Sequence, residues 1–346
     1  MRQDASRSYP RMLVASTIAV GLVATALFVA LVWFSPASPP DASEPLEHVT
    51  IANIRYPGTC PVIVAQAKGY FTDEGVRVTM SSQTSGKATL DAVFRGQANL
   101  ATTGDLPVMF AVMDRQPVSI VATLATSEND LGVVGRKDKG VVTPASLKGK
   151  QIGVPMLSAG QFVLDVILTR QKLTMRDVTV RDLRPEELSA ALAKGDIDAA
   201  STWQPYLGTL QTELGENGTV FHSAGIYDVA LNLVGSRDYV AGHPRTIRKL
   251  LRALIVAARF CKDSPDSARE LVAEAMKPDV VNLNELWSSY RFSIVLDQSL
   301  ILALEDETRW AIKNGFTGRT DPPNYLDMIY LDGLQSVAPA AVTIMH

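Results

Sequence analysis

The sequence predicts an α/β fold of two lobes with a central ligand cleft, preceded by an apolar N-terminal segment. Strand-like and helix-like patterns alternate from residue 48 onward, as in sheets covered by helices. Two similar stretches, at 96–103 and 195–202, each contain a glycine, a polar residue and a strand of small residues. With 346 residues, of which 47% are hydrophobic, the chain can build two ordinary domains.

The first 45 residues are predicted to be a targeting segment. The stretch Met12–Phe34 carries no charge and is longer than the roughly 7–15 apolar residues of a signal peptide. About 20 residues span a bilayer, and the arginines before this stretch keep the N-terminus in the cytoplasm. The sequence therefore favours a single-pass transmembrane helix in the cytoplasmic membrane, with the rest of the chain outside; cleavage after Ala37 is the alternative. Residues 35–45, rich in Pro, Ser and Ala, are predicted to be an extended linker.

The first exported unit alternates short strands and helices. Gly96 ends one of its helices, and the last strand leads out towards the second unit. The predicted strands are 49–54, 76–80, 100–102, 118–125 and 131–135, and the predicted helices are 61–69, 89–95 and 106–115.

The second unit repeats this alternation, and the C-terminal region is predicted to be helical. The predicted strands of the second unit are 151–154, 178–183 and 199–201, and its helices are 160–171, 185–194 and 206–214. After residue 229 the pattern changes, and a further strand is predicted at 230–234. The later helices are predicted at 245–261, 265–276, 283–293, 298–314 and 325–337.

Chain crossings near 131–136 and 230–236 divide the exported part into two lobes. Lobe 1 is predicted to contain residues 46–130 and 235–346, and lobe 2 residues 131–234. Two connecting strands of this kind allow the lobes to close through small backbone changes.

Charge and composition exclude several classes of protein. The 33 Lys and Arg residues nearly balance the 36 Asp and Glu residues and form no basic run, so we expect no nucleic-acid partner. The four histidines are scattered, so we expect no metal, and we predict no cofactor. Cys60 and Cys261 allow one long-range disulfide, but their unlike contexts favour two unpaired buried thiols.

Two motifs resemble those of a known family. The run Val64–Val78 resembles the opening "A-x-x-x-G-x-F-x-x-E-G-x-x-V" of nitrate/sulfonate/taurine-type substrate-binding proteins of ABC transporters. The run 195–200, with Trp203 and Pro205, resembles the second-lobe signature "G-x-x-D-A-x-x-x-W-x-P" of that family. The resemblance covers about residues 48–335. It implies a type II periplasmic-binding-protein fold, a solute held between the lobes, and delivery of that solute to an ABC permease in the membrane.

Five loops are predicted to surround the solute, because ligands of open α/β sheets bind beyond the carboxyl ends of the strands. These loops carry glycines, hydroxyls and amides, which can surround an oxyanion with hydrogen-bond donors. The loops are 55–60, 81–87, 103–105, 156–161 and 202–206. The candidate ligand-binding residues are Arg55, Tyr56, Gly58, Thr59, Ser85, Gly86, Thr103, Asp105, Ser158, Gly160, Gln161 and Trp203.

Four of these residues have alternative structural roles. Ser158 either binds the ligand or caps the following helix, and Asp105 either meets a ligand amine or caps its own helix. Trp203 either covers an apolar or cationic part of the ligand or packs in the lobe. Arg55 either pairs with an anion or lies on the rim.

The predicted function is binding of a small organic or oxyanion solute, such as a sulfonate, taurine or nitrate, by a monomer that delivers it to an ABC permease. The alternative is a membrane-anchored sensing domain that acts through a partner protein, because only about 11 residues precede the apolar stretch. Catalysis is disfavoured, because no G-x-S-x-G or H-E-x-x-H motif occurs.

Overall fold

The computed structural model describes residues 46–223, 225, 227–277 and 282–345. The predicted membrane span Met12–Phe34 and the linker after it lie outside the described residues. Among the helices within the described ranges, none combines the length and the apolar character needed to cross a bilayer.

The first sheet is mixed and carries the N-terminal strand near its edge. In chain order its strands are β1 (Glu47–Ile54), β2 (Val76–Gln83), β3 (Leu100–Gly104), β4 (Val118–Ser127), β10 (Val229–Ser236) and β11 (Tyr290–Val295). Across the sheet the order is β11-β4-β10-β3-β1-β2. Strand β1 is parallel to β2 and β3, whereas β10 is antiparallel to β3 and β4.

The second sheet is built from the middle of the chain. Its strands are β5 (Leu131–Arg136), β6 (Gln151–Val154), β7 (Thr179–Asp182), β8 (Ala199–Trp203) and β9 (Gly218–His222). Across the sheet the order is β7-β6-β8-β5-β9. Strand β6 is parallel to β7 and β8, and β5 is antiparallel to β8 and β9.

The two sheets share one plan. In each, a strand pairs in parallel with two neighbours, and an antiparallel strand that arrives from the other sheet's lobe is inserted beside them. The inserted strand is β10 in the first sheet and β5 in the second. This is the two-lobe α/β architecture predicted from the repeat at 96–103 and 195–202. Because β10 pairs within the first sheet, residues 229–234, assigned above to lobe 2, hydrogen-bond within lobe 1.

Helices pack on both sheets. In chain order they are α1 (Cys60–Ala67), α2 (Tyr70–Asp73), α3 (Gly86–Phe94), α4 (Asp105–Met113), α5 (Ala159–Arg170), α6 (Leu188–Lys194), α7 (Tyr206–Leu214), α8 (Arg237–Gly242), α9 (Pro244–Asp263), α10 (Pro265–Ala275), α11 (Leu283–Leu286), α12 (Gln298–Lys313) and α13 (Leu331–Val337).

Helix α9 joins the C-terminal region to the start of the chain. It buries an apolar face that includes Leu250 and Leu254, and it packs against α1. Cys261 of α9 forms a disulfide with Cys60 of α1, and their Cα atoms are 6.4 Å apart. The expectation of two unpaired thiols is therefore wrong. The two cysteines are 201 residues apart, and no local sequence pattern showed that their helices pack together.

The predicted helix 283–293 is also wrong over its second half. Helix α11 ends at Leu286, and Tyr290–Val295 forms strand β11, which pairs with β4 at the sheet edge. Apolar and polar side chains alternate along Tyr290, Arg291 and Phe292, as in a half-buried strand. The short strand β9 was not predicted either.

Candidate ligand-binding site

A cavity of about 640 Å³ is lined by residues from both lobes. Lobe 1 contributes the ends of β1 and β3, side chains along α3 and α4, the start of β10, and Phe316. Lobe 2 contributes residues 155–159, residues 182–185 and the end of β8. All five predicted loops reach this cavity, through Tyr56, Ser85 with Gly86, Gly104, Ser158 and Trp203.

The start of helix α3 forms one wall of the cavity. Ser85 caps this helix, because its Oγ accepts a hydrogen bond from the Ala88 amide at 3.2 Å. A Cβ atom on Gly86 would lie 2.5 Å from the Thr103 hydroxyl and 3.0 Å from Pro107. Only glycine therefore lets the helix start approach strand β3 this closely.

Three predicted residues near Tyr56 support the cavity wall from behind. A Cβ atom on buried Gly58 would lie 2.6 Å from the Tyr56 ring. The Thr59 hydroxyl donates to the Tyr56 carbonyl at 2.7 Å. The Arg55 amide donates to the Gln83 carbonyl at 3.2 Å and so joins the ends of β1 and β2. None of the three lines the cavity.

The other predicted residues outside the lining are also used by the fold. A Cβ atom on Gly160 would lie 2.9 Å from the Ser201 carbonyl, so glycine lets α5 approach β8. Gln161 accepts from the Leu157 amide at 2.7 Å through its side-chain oxygen. Thr103 is fully buried, and its hydroxyl has no hydrogen-bond partner among the described residues.

A buried carboxylate fastens the first connection between the lobes. Asp130 lies between β4 and β5, and its carboxylate accepts hydrogen bonds from the hydroxyls of Tyr56 and Tyr290 in lobe 1. Burial raises the pKa of Asp130 to about 6, although the two tyrosine donors lower it. Because Tyr56 also lines the cavity, this carboxylate links the cavity wall to the connection.

A second buried network fastens the return connection, residues 223–228. The hydroxyl of Tyr227 faces the carboxyl groups of Asp105 and Glu307, with Glu307 Oε1 at 2.6 Å. One phenolic proton cannot be donated to two carboxylates, so one of the two acids must carry a proton. Asp105 is the first residue of α4, and its carboxylate also accepts from the amides of Leu106 and Ala230, at 2.9 and 3.0 Å.

We assign this proton to Glu307, although burial also raises the pKa of Asp105. Its second carboxyl oxygen is buried without a partner among the described residues. Burial raises the pKa of Glu307 well above its usual range, and the nearby Asp105 charge raises it further. Asp105 is fully buried and does not line the cavity, so its carboxylate is committed to the return connection.

The charged side chains of the cavity lining lie at its rim. Lys87 pairs with Asp91 at 2.8 Å, and its side chain is 80% exposed. Arg184 pairs with Glu187 at 2.8 Å, and its side chain is 71% exposed. Both basic side chains of the described lining are thus already paired and in contact with solvent.

Sequence reasoning missed the apolar walls and both networks. Phe110 and Phe316 line the cavity and flank Trp310, at ring distances of 6.4 and 5.1 Å. Asp130 stands immediately before a strand at the predicted lobe boundary, which was a usable signal. No local pattern indicated that Tyr227 and Glu307, 80 residues apart, would meet.

A family model described as "NMT1/THI5 like" matches residues 57–268, more than half of the chain. The chain belongs to this family. A putative binding protein of Brucella abortus is 24% identical over 240 residues, which are 66% of this chain and 71% of the relative. The taurine-binding periplasmic protein of Escherichia coli is 26% identical over 209 residues, which are 60% of this chain and 64% of the relative. These relatives confirm the predicted resemblance.

Solved structures of similar fold agree with this assignment. The periplasmic aliphatic sulphonate binding protein SsuA of Escherichia coli superposes with a TM-score of 0.70 at 16% identity, covering 83% of this chain and 98% of SsuA. The desulfurization enzyme DSZB superposes with a TM-score of 0.60 at 16% identity, covering 85% of this chain and 99% of DSZB. At such identities the superpositions show the fold alone.

Proposed function

We propose that the chain is the solute-binding component of an ABC importer and works outside the cytoplasm. The observation that carries this proposal is a cavity to which both lobes contribute, with two chain connections between the lobes. The connections lie side by side, because the Ser223 hydroxyl donates to the Glu128 carbonyl at 3.0 Å. Two adjacent strands between lobes are the usual hinge for closure around a ligand.

Contacts between the lobes support closure as the ligand-holding state. The Tyr206 hydroxyl of lobe 2 donates to the Thr84 carbonyl of lobe 1 at 3.5 Å. The Trp310 indole of α12 donates to the Asp165 carboxylate of α5 at 2.9 Å. Both contacts would separate when the lobes open.

The solute is a small organic or oxyanion molecule, as the names of the taurine-binding and sulphonate-binding relatives suggest. Of the residues predicted to bind it, the five that line the cavity are assigned direct contact: Tyr56, Ser85, Gly86, Ser158 and Trp203. The others are assigned supporting roles in the walls and connections.

The N-terminal stretch Met12–Phe34 is assigned the role of a single-pass anchor. An anchored binding lobe pair remains near its permease, which raises its local concentration at the membrane. Mass spectrometry of the chain from membranes of the native host tests this. An intact N-terminus supports an anchor, and a chain that begins after Ala37 contradicts it.

Two measurements on the full-length chain test the importer proposal. The first is a thermal-shift screen against sulfonates, taurine, nitrate, urea, amidines and pyrimidine precursors. At least one of these compounds should bind and raise the unfolding temperature of the chain. The bound compound should be recovered chemically unchanged, since binding and delivery need no turnover.

The alternatives predict different results. Product formation would identify an enzyme, as DSZB with the same fold is one. Photo-crosslinking in membranes of the native host should capture an ABC permease. Capture of a receptor or kinase without a permease would favour the sensing alternative.

A further inference from the structure

We propose that the solute has a flat, apolar body of two or more rings, with a polar group as its smaller part. This inference rests on the proposed solute-binding function and narrows the class of solute. It departs from the expectation of a small oxyanion such as nitrate or taurine.

The size and the walls of the cavity favour such a molecule. A volume of about 640 Å³ falls within the roughly 300–1,000 Å³ of sites that hold drug-sized ligands. The wall from lobe 1 includes Phe94, Phe110 and Phe316, which are only partly buried by the protein itself. Lobe 2 adds Leu157 and Trp203. Covering these rings with an apolar ligand removes apolar surface from water.

Few hydrogen-bond donors of the lining are free to replace the water molecules that a small anion loses when it is buried. The hydroxyl of Tyr56 donates to Asp130, and that of Ser158 donates to the Pro155 carbonyl at 2.5 Å. Lys87 and Arg184 are paired and exposed at the rim. Burying an ion without new bonds is unfavourable, so nitrate or taurine suits this cavity poorly. Ser85 and the first turn of α3 remain for one polar group of the solute.

The backbone conformation of Leu157 holds an apolar side chain at the cavity surface. Its side chain is 50% exposed at the cavity, and its φ of 54° is in the left-handed region, which is costly for a non-glycine residue. Gln161 holds this conformation by accepting from the Leu157 amide at 2.7 Å, and the Ser158 bond to Pro155 closes the same turn. A strained turn thus holds a leucine where a ligand can cover it.

Isothermal titration calorimetry on the full-length chain in lipid nanodiscs tests the proposal, with empty nanodiscs as the blank. The probes are naphthalene-2-sulfonate, naphthalene-2-methanol, ethanesulfonate, taurine and nitrate. Naphthalene-2-sulfonate should bind at least about ten-fold more tightly than ethanesulfonate, which has the same headgroup without rings. Leu157→Ala should weaken naphthalene-2-sulfonate binding about five-fold, because it removes half a leucine's worth of apolar contact.

Leu302→Ala is the matched control, since Leu302 is 52% exposed on helix α12 and does not line the cavity. Its affinity for naphthalene-2-sulfonate should equal that of the wild type. Equal losses in Leu157→Ala and Leu302→Ala would overturn the role of Leu157.

Other outcomes separate this proposal from the importer proposal. If ethanesulfonate, taurine or nitrate binds as tightly as the naphthalene probes, the ring-bearing class is wrong and solute binding stands. If no naphthalene probe binds to the folded chain, the ring-bearing class is likewise wrong. Conversion of a bound naphthalene probe to product would contradict the importer proposal and leave the solute class standing.

Discussion

The two connections between the lobes are fastened by the same kinds of side chain in opposite proportions. At the first connection, one carboxylate, Asp130, accepts from two tyrosine hydroxyls. At the return connection, one tyrosine hydroxyl, that of Tyr227, meets two carboxyl groups. The first network therefore has enough donors for an ionised acid, whereas the second must retain an additional proton. Each network thus keeps one ionised carboxylate, and the additional proton on a second acid distinguishes the return connection.

The first network is also near, along the chain, to a covalent bond within lobe 1. Tyr56, which donates to Asp130, precedes Cys60 by one helical turn, and Cys60 is bonded to Cys261. The described part of the return connection, residues 223, 225 and 227–228, contains no cysteine. We therefore expect the two connections to differ in how much stability is lost when the disulfide, Asp130 or Glu307 is replaced or when the pH is changed.

The largest expected effect follows loss of the disulfide. Replacing both cysteines, Cys60→Ser with Cys261→Ser, should lower the free energy of unfolding by about 3–5 kcal/mol, because the bond closes a long loop in the unfolded chain. Urea unfolding followed by circular dichroism measures the change. Dithiothreitol should lower the wild type to the same stability and leave the double variant unchanged. A wild type insensitive to reduction would contradict the bond.

The second effect is the loss of the ionised acid at the first connection. Asp130→Asn should lower the free energy of unfolding by about 2–3 kcal/mol, since the amide turns a donor towards one of two buried tyrosine hydroxyls. Asp114→Asn, at an exposed aspartate of the cavity lining, is the matched control and should change stability by less than about 0.5 kcal/mol. Equal stability of the two variants would show that Asp130 does not stabilise the first connection.

The third effect is a dependence of stability on pH. The pKa of Asp130 is about 6 in the folded chain and 3.8 as the ordinary value, so the folded state binds this proton more readily. Its contribution is fully present below pH 3.8 and is lost as the pH rises through 6. Lowering the pH from about 7 to about 5 should therefore add about 1 kcal/mol from this group. Urea titrations should show that Asp130→Asn loses this increment, and an unchanged increment would rule out Asp130 as its source.

The smallest effect is expected at the second network. Glu307 already holds a proton, so Glu307→Gln preserves shape and neutrality and should change the free energy of unfolding by less than about 1 kcal/mol. Asp105→Asn in the same network should cost more, because Asp105 accepts from two backbone amides and a tyrosine. If Glu307→Gln proves the more damaging of the two, the proton has been assigned to the wrong acid.

Local patterns in the sequence were sufficient to predict the two-lobe architecture and the loops that line the cavity. Glycine stops and small-residue strands recur at local spacing, so the repeat at 96–103 and 195–202 revealed two similar sheets. All five predicted loops contribute to the cavity lining. The position of a loop follows from the order of strands and helices, which short patterns record.

Partners that are distant in the chain were beyond the reach of the same reasoning. Asp130 meets Tyr56 and Tyr290 across 74 and 160 residues, and no periodicity links such positions. The two cysteines of the disulfide are also far apart in the chain, and no periodicity links their positions. Gln161 and Asp105 were predicted to bind ligand because they lie in the right loops, but their orientation depends on Leu157 and Tyr227. Loop position predicts proximity to a site, whereas orientation depends on the packed neighbours.

The inserted strand β10 has a consequence for how the protein is made. It lies between β3 and β4, so the first sheet has a gap at its centre until residue 236 is available. A chain that emerges N-terminus first would complete all strands of the second sheet before this gap closes. Early fragments expose two unpaired strand edges, which are prone to aggregation. The sheet of lobe 1 is therefore completed only after lobe 2 has been synthesised, whereas every strand of the lobe 2 sheet lies in one continuous segment of the chain.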